Sequence, residues 1–395
     1  MKIDIFCEVE KAGMDAPDAE YRLLKETLAQ AQLADRAGYD CWWEVEHHTA
    51  VEMSYSSAPD LMLTAIAART SRMRVGHSAV LAPHNFSHPI RIAERAATLD
   101  LLSDGRLEMG FARSTAPEWR VFQIPQEDSR QQLEDTMRMV PKMWTQERFS
   151  IQNERFSIHE APIIPKPLQK PHPPLWQASS SPDSFALAAH CGVGALGVTL
   201  MTPIEGMAFL LQGYRDAIKD AEPAGSFINN QTGVFTFVHC AETTQQAIDN
   251  GAAEAAAWYV NTIVKFFELQ EMLKAMQSDG RGDVAGAGLV GIESGGTGTA
   301  TALAPAPAAD DPMQIVGRLA RGEEVSGEEV YEILGKQDSI IIGDPETCRR
   351  KMKHYQDIGV DRLLCFQQVG ALRHESIMKS IALIGEHCVP VFSPK

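Results

Sequence analysis

The tripeptide Glu46-His47-His48 follows the bulky run Tyr39-Asp40-Cys41-Trp42-Trp43 and precedes the polar stretch Met53-Ser54-Tyr55-Ser56-Ser57. An imidazole needs partners for both ring nitrogens and titrates near neutrality, so two adjacent histidines are costly as packing and suited to moving protons. A satisfied polar corner is the bland alternative. A second set comprises Ala112-Arg113-Ser114, Arg130 and Ser179-Ser180-Ser181. Guanidinium and hydroxyl donors of this kind suit a phosphate. Taken singly, Arg113 serves equally well as a structural ion-pair partner, and Ser179 to Ser181 as a helix cap ahead of Pro182-Asp183.

Chemistry at these positions requires elements that bring them together, and the chain alternates short apolar runs with helical patterns. Strands are expected at Lys2 to Glu8, up to Glu46, Met73 to Leu81, Arg106 to Ala112, Leu175 to Ala178, Ala195 to Thr199, Gly233 to Cys240 and Asp361 to Phe366. Between them, Glu20 to Ala37 carries Leu24, Leu28, Ala31 and Ala34 at helical spacing and stops at Gly38. Ala58 to Thr70 is a second helix. Ser87-His88-Pro89 opens a third through Leu102, and Asp128-Ser129 caps a fourth. Repeated βα steps predict a parallel sheet, and eight strands fit a closed (β/α)₈ TIM barrel. A doubly wound open sheet is the alternative, but Glu8 to Asp18 holds no G-x-G-x-x-G turn.

The rhythm breaks after the fourth strand, where the Pro- and His-containing stretch from Gln146 to Pro174 predicts an inserted excursion. A longer excursion precedes the eighth strand: an Ala-rich helix over Thr244 to Ala257, a helical continuation through Lys265 to Met276, then a Gly/Ala/Pro-rich block over 278–312. Such a block cannot bury a core, and it reads as a flexible linker or a lid. The whole of 1–395 is read as a single barrel domain.

In a barrel of this type the reactive residues sit at the carboxyl ends of strands. The second strand ends at Glu46-His47-His48, the third near His77-Ser78-Ala79, the fourth at Ala112-Arg113-Ser114 and the fifth at Ser179-Ser180. His47, His48, His77, His84 and His88 could in principle gather a metal. However, barrel hydrolases usually begin with His-x-His on the first strand, where this chain reads Ile3-Asp4-Ile5-Phe6-Cys7, so no metal is expected.

The 395 residues are 44% hydrophobic and 22% charged, an ordinary globular balance, with a formal net charge of -16. That sign argues against nucleic acid and against an anionic membrane as partners. No unbroken apolar run approaches the length of a membrane span and no signal peptide is evident, so a cytoplasmic address is expected. The seven cysteines show no C-x-x-C pair and are expected to be reduced.

The order of Val75-Gly76-His77-Ser78-Ala79-Val80-Leu81-Ala82-Pro83, His88-Pro89-Ile90-Arg91-Ile92-Ala93-Glu94, Leu102-Ser103-Asp104-Gly105-Arg106-Leu107-Glu108-Met109-Gly110-Phe111-Ala112-Arg113 and Arg120-Val121-Phe122 closely resembles the bacterial luciferase-like flavin monooxygenases, alkanal-monooxygenase type. The likeness runs from Met1 to about Arg215 and returns from Ile342 to Phe392. It implies reduced FMN supplied by a separate reductase, O2, and oxidation of a small organic substrate through a peroxyflavin. By position it makes His47 the active-site histidine, oriented by Glu46 or His48. Ser78-Ala79 becomes a cis peptide beneath the flavin ring, and Arg113, Arg130 and Ser180 become phosphate contacts. Ala112 faces the flavin where luciferase has a reactive cysteine, and Ser179 takes a phosphate-site position that is acidic there. Both are departures, and the loss of the thiol at Ala112 leaves flavin binding expected while putting light emission in doubt. The deazaflavin F420 with hydride transfer, and a non-catalytic flavin-binding partner subunit, are the alternatives within the same fold. A homodimer built on the helices after the second and third strands is implied as well.

Overall fold

The computed structural model describes residues 1–50, 53–200, 203–266, 268, 313–336 and 338–393. Twelve strands form among them: β1 Lys2–Cys7, β2 Cys41–Glu44, β3 Arg74–His77, β4 Val80–Leu81, β5 Leu107–Ala112, β6 Phe149–Gln152, β7 Ser157–Ala161, β8 Leu175–Ala178, β9 Gly194–Val198, β10 Thr232–Cys240, β11 Ile341–Gly343 and β12 Arg362–Phe366. Neighbours run β12-β1-β2-β3-β5-β8-β9, all parallel. β10 pairs with both β9 and β12 and so closes a ring of eight. The fold is therefore a (β/α)₈ barrel, with every expected barrel strand in place.

Side-chain alternation sorts the strands into layers inside the ring. Asp4, Phe6 and Glu8 lie two residues apart on and just beyond β1. At the lower level Asp4 Oδ2 accepts from Trp43 Nε1 at 2.8 Å and from Arg362 Nε at 2.8 Å, and Trp43 meets Trp176 edge-on at 5.3 Å. Gly76 gives the room: a Cβ there would stand 2.4 Å from the Trp43 ring. Above it, Phe6 stacks on Phe235 at 4.0 Å and meets Phe366 edge-on. Glu8 is thereby carried to the open, carboxyl-end layer.

Several local features differ from the sequence reading. The third strand, expected unbroken from Met73 to Leu81, is divided into β3 and β4 by the cis peptide at Ser78-Ala79, which is present as the resemblance implies. The excursion after the fourth barrel strand contains an antiparallel hairpin, β6 with β7, because alternating residues from Phe149 to Ala161 find each other across a short turn. His88, not Ser87, caps the third helix: its Nδ1 accepts from Ile90 N at 3.2 Å. The helix expected from Asp128-Ser129 starts earlier and spans Gln126–Thr145 without a side-chain cap. The Ala-rich helix divides into Thr244–Asp249 and Ala252–Phe266 at Gly251, whose φ of 85° breaks the right-handed run. The 278–312 block lies outside the described residues, as does most of the expected helix through Met276.

Candidate active site

The loop after β2 carries Glu46, His47 and His48 over the barrel mouth and is tied down on several sides. His47 N donates to Ser56 O at 3.0 Å, Tyr55 N to Val9 O at 3.0 Å, and Ser54 Oγ to Glu8 O at 2.7 Å. Glu46 accepts from Leu81 N at 2.8 Å and stands 3.4 Å from His48 Nε2, so it links His48 to the strand piece beyond Ser78-Ala79. His48 also packs on Phe122 and Phe86.

His47 meets a partner that the sequence reading missed. Its Nδ1 lies 3.3 Å from Glu118 Oε1, on a short helix, Ala116–Val121, directly after the β5 end. Glu118 is fully buried and also accepts from His48 N at 2.8 Å, Ser114 Oγ at 2.5 Å and Thr115 Oγ1 at 3.2 Å. Burial pulls the His47 imidazole down, but the Glu118 hydrogen bond and the charges of Glu118, Glu8 and Glu46 outweigh it and leave it above an ordinary histidine. Burial pushes Glu118 up, yet His47, Ser114 and the His48 amide hold it below an ordinary glutamate. The result is an oriented histidine whose protonated form is favoured over that of an ordinary imidazole, beside a carboxylate whose charged form is favoured. A signal for Glu118 existed in Thr115-Ala116-Pro117-Glu118, but that spacing reads as a helix capping box.

Below His47, Glu8 accepts from Tyr259 Oη at 3.1 Å. Burial pushes Glu8 up to about 7, opposed by His47 and Tyr259. Glu10, two residues on, is almost wholly buried and pushed well above its usual range by that burial and by Glu8. An acid at a buried parity of the first strand was the available signal for Glu8.

The expected phosphate donors fall on the fourth and fifth barrel strands and the helices after them. Arg113 follows β5, its guanidinium over the Trp119 ring at 4.8 Å, while its carbonyl accepts from Trp119 Nε1 at 2.7 Å. Burial, then the charge of nearby Arg130, pushes Arg113 down to about 10. Arg130 reaches within 3.9 Å of Asp183 in the first turn of the helix Pro182–His190. Ser181 caps that helix, and Ser184 Oγ accepts from the amides of Ser180 and Ser181. The Ser179 hydroxyl is buried and turned to Gln177 O and Ser184 O, whereas Ser180 is exposed. Two guanidinium groups held close despite their repulsion, beside the positive end of a helix, form a donor set that fits the phosphate of a flavin nucleotide.

Ser78-Ala79 and Ala112 lie on neighbouring strand ends, where Leu81 of β4 pairs with Ala112 of β5. Gly110 packs against the Ser78-Ala79 segment so closely that a Cβ would stand 2.2 Å from His77 O and 3.3 Å from the Ala79 Cβ. His77 itself turns outward, 3.3 Å from Asp60 on the helix Pro59–Ala67. His84 and His88 pack on Phe156. Among the described residues, no group of three or more His, Cys, Asp or Glu side chains is arranged to hold a metal.

This chain is 30% identical over 198 residues to the oxygenase component of the flavin-dependent trigonelline monooxygenase of Acinetobacter baylyi, covering 49% of this chain and 53% of that one. The chain thus spans about half the length of that relative. Among solved structures, monooxygenase RslO1 from Streptomyces bottropensis superposes with a TM-score of 0.71 at 22% identity, over 100% of both chains. The oxygenating constituent of 3,6-diketocamphane monooxygenase from the CAM plasmid of Pseudomonas putida, in complex with FMN, gives 0.69 at 15% identity, over 99% and 98%. At those identities the likeness shows the barrel. Residues 1–362 match the luciferase-like monooxygenase family as a whole, and the chain belongs to that family.

Proposed function

We propose that the protein is the oxygenase component of a two-component flavin monooxygenase, taking reduced FMN from a separate reductase and using O2 to oxidise a small organic substrate. The observation that carries this reading is His47, held by buried Glu118 beyond the carboxyl end of β2, on the same end of the barrel as Arg113 beyond β5. Family membership and the names of the relatives support it.

In this reading Arg113, Arg130 and Ser180 hold the phosphate, with Ser179 shaping the loop beneath. Ser78, Ala79 and Ala112 bound the ring. When bound, reduced FMN supplies the electrons that activate dioxygen. His47 moves a proton through its imidazole, while Glu118 at Nδ1 fixes the ring orientation. Glu46 and His48 keep the loop closed over the strand end. The aromatic side chains Phe266, Phe86 and Phe122 around the two histidines limit water at the mouth.

A homodimer through the helices Pro59–Ala67 and Pro89–Leu102 belongs to the same reading, supported by the exposure of Leu61 at 74% and Leu102 at 57%. No described helix is long and apolar enough to cross a membrane, and a cytoplasmic address is proposed with it.

Absorbance and fluorescence titration with FMN and with F420 tests the cofactor. Turnover with a supplied flavin reductase, across aldehydes, ketones and amines, tests the reaction. Tighter F420 binding, or peroxide as the sole product across the panel, counts against the proposal.

A further inference from the structure

We propose that Glu8 and Glu10 form the recognition site for a protonated amine on the organic substrate. The inference rests on the oxygenase reading and names the substrate class of that site.

The two acids stand where the first barrel strand opens into the mouth. Glu8 is 3% and Glu10 is 1% exposed. Tyr259 occupies Glu8 Oε1, but Glu8 Oε2 and both oxygens of Glu10 have no hydrogen-bond partner. The Gly370 amide approaches Glu10 and opposes its rise, without reaching hydrogen-bond geometry. The carboxyls therefore do not share a proton through a mutual hydrogen bond, which is the usual way a buried acid pair settles itself. Among the described residues, no lysine or arginine pairs with either. The ionisable groups facing them are His47, Tyr259 and Cys7. None of these is a permanent cation.

A buried carboxyl with open acceptor positions is costly until a donor or a cation fills them. Aromatic rings frame the position: Tyr259 lies edge-on to Phe366 at 5.0 Å, and Phe266 lies 6.0 Å from the His47 ring. Open acceptor oxygens in an aromatic-lined surrounding suit an ammonium group, whose N–H donors they accept. Such a group anchored at Glu8 and Glu10 places the rest of the substrate beneath His47. Its arrival favours the ionised carboxyl, so binding releases a proton to solvent.

Titration calorimetry with the full-length protein, comparing benzylamine with benzyl alcohol as its neutral counterpart, tests this directly. The amine is expected to bind about 10-fold more tightly, with proton release seen as a dependence of the binding heat on the buffer. Glu10→Gln is expected to remove the preference and the proton release, while FMN affinity stays within about twofold. Glu8→Gln serves as the second variant if Glu10→Gln does not fold, as judged by circular dichroism. Equal binding of the two probes, no detectable amine binding, or a preference that survives both substitutions overturns the proposal. Loss of FMN binding in the unaltered protein, with the amine preference intact, instead counts against the flavin reading alone.

Discussion

Glu118 holds His47 by the ring and its neighbour by the backbone: one carboxylate oxygen lies 3.3 Å from His47 Nδ1 and 2.8 Å from His48 N. The second oxygen accepts from Ser114 and Thr115. A single buried acid thus joins the loop after the second barrel strand to the turn after the fourth. It fixes the ring orientation of His47 through Nδ1.

His47→Ala is expected to lower kcat by about 10²–10⁴-fold, the range for losing a positioned acid or base, with FMN affinity nearly unchanged. Steady-state kinetics beside a flavin titration checks this. Unchanged turnover would revive the non-catalytic subunit.

Glu118→Gln removes the charge that raises His47, so the His47 limb of the kcat pH profile moves to lower pH. Glu118→Asp keeps the charge and restores part of the profile. A profile unmoved by Glu118→Gln assigns that limb to another group.

Arg113→Ala is expected to weaken FMN binding by about 10-fold or more, the loss of a charge-assisted contact, while riboflavin, which lacks the phosphate, is little affected. The preference for FMN over riboflavin should therefore collapse. An equal loss for both flavins would place Arg113 away from the phosphate.

Stability should fall as pH rises through the neutral range. Burial, opposed by hydrogen bonds from Trp42 and Ser56, pushes Glu44 up from 4.5 to about 7, and burial does the same to Glu8. A raised acid contributes stability that is present below its unfolded value and lost as pH climbs through the folded one, here between 4.5 and about 7. Thermal melts across that window should show a falling Tm, and Glu44→Gln should flatten the fall. A Tm that rises with pH contradicts the assignment.

Arg362→Leu should cost about 3–5 kcal/mol, because it strands Asp4 inside the barrel with Trp43 as its remaining partner. Urea unfolding reads this out. The cost should shrink in the double variant with Asp4→Asn.

The barrel was legible because its strands announce themselves as short apolar runs at βα spacing, and Lys2, Arg106 and Asp361 stand within one residue of observed strand starts. The break at Ser78-Ala79 was not legible from the residues themselves, since Met73 to Leu81 reads as one continuous strand. His47, Arg113 and Ser180 could be singled out because their types are conspicuous at strand ends. Glu118 and Glu10 were missed for opposite reasons. Glu118 looks like an ordinary capping glutamate, and its burial arises only when the loop after β2 folds over it. Glu10 sits in a charged, loop-like stretch of sequence, and the long-range approach of Gly370 and Tyr259 encloses it.

A single turnover under oxygen-18 gas, with FMN reduced chemically so that no reductase is needed, tests the central claim most directly. The account predicts one labelled oxygen atom in an organic product from a panel of aldehydes, ketones and amines, and loss of that product in His47→Ala. Labelled hydrogen peroxide in stoichiometric yield, with no labelled product from any member of the panel, would contradict it.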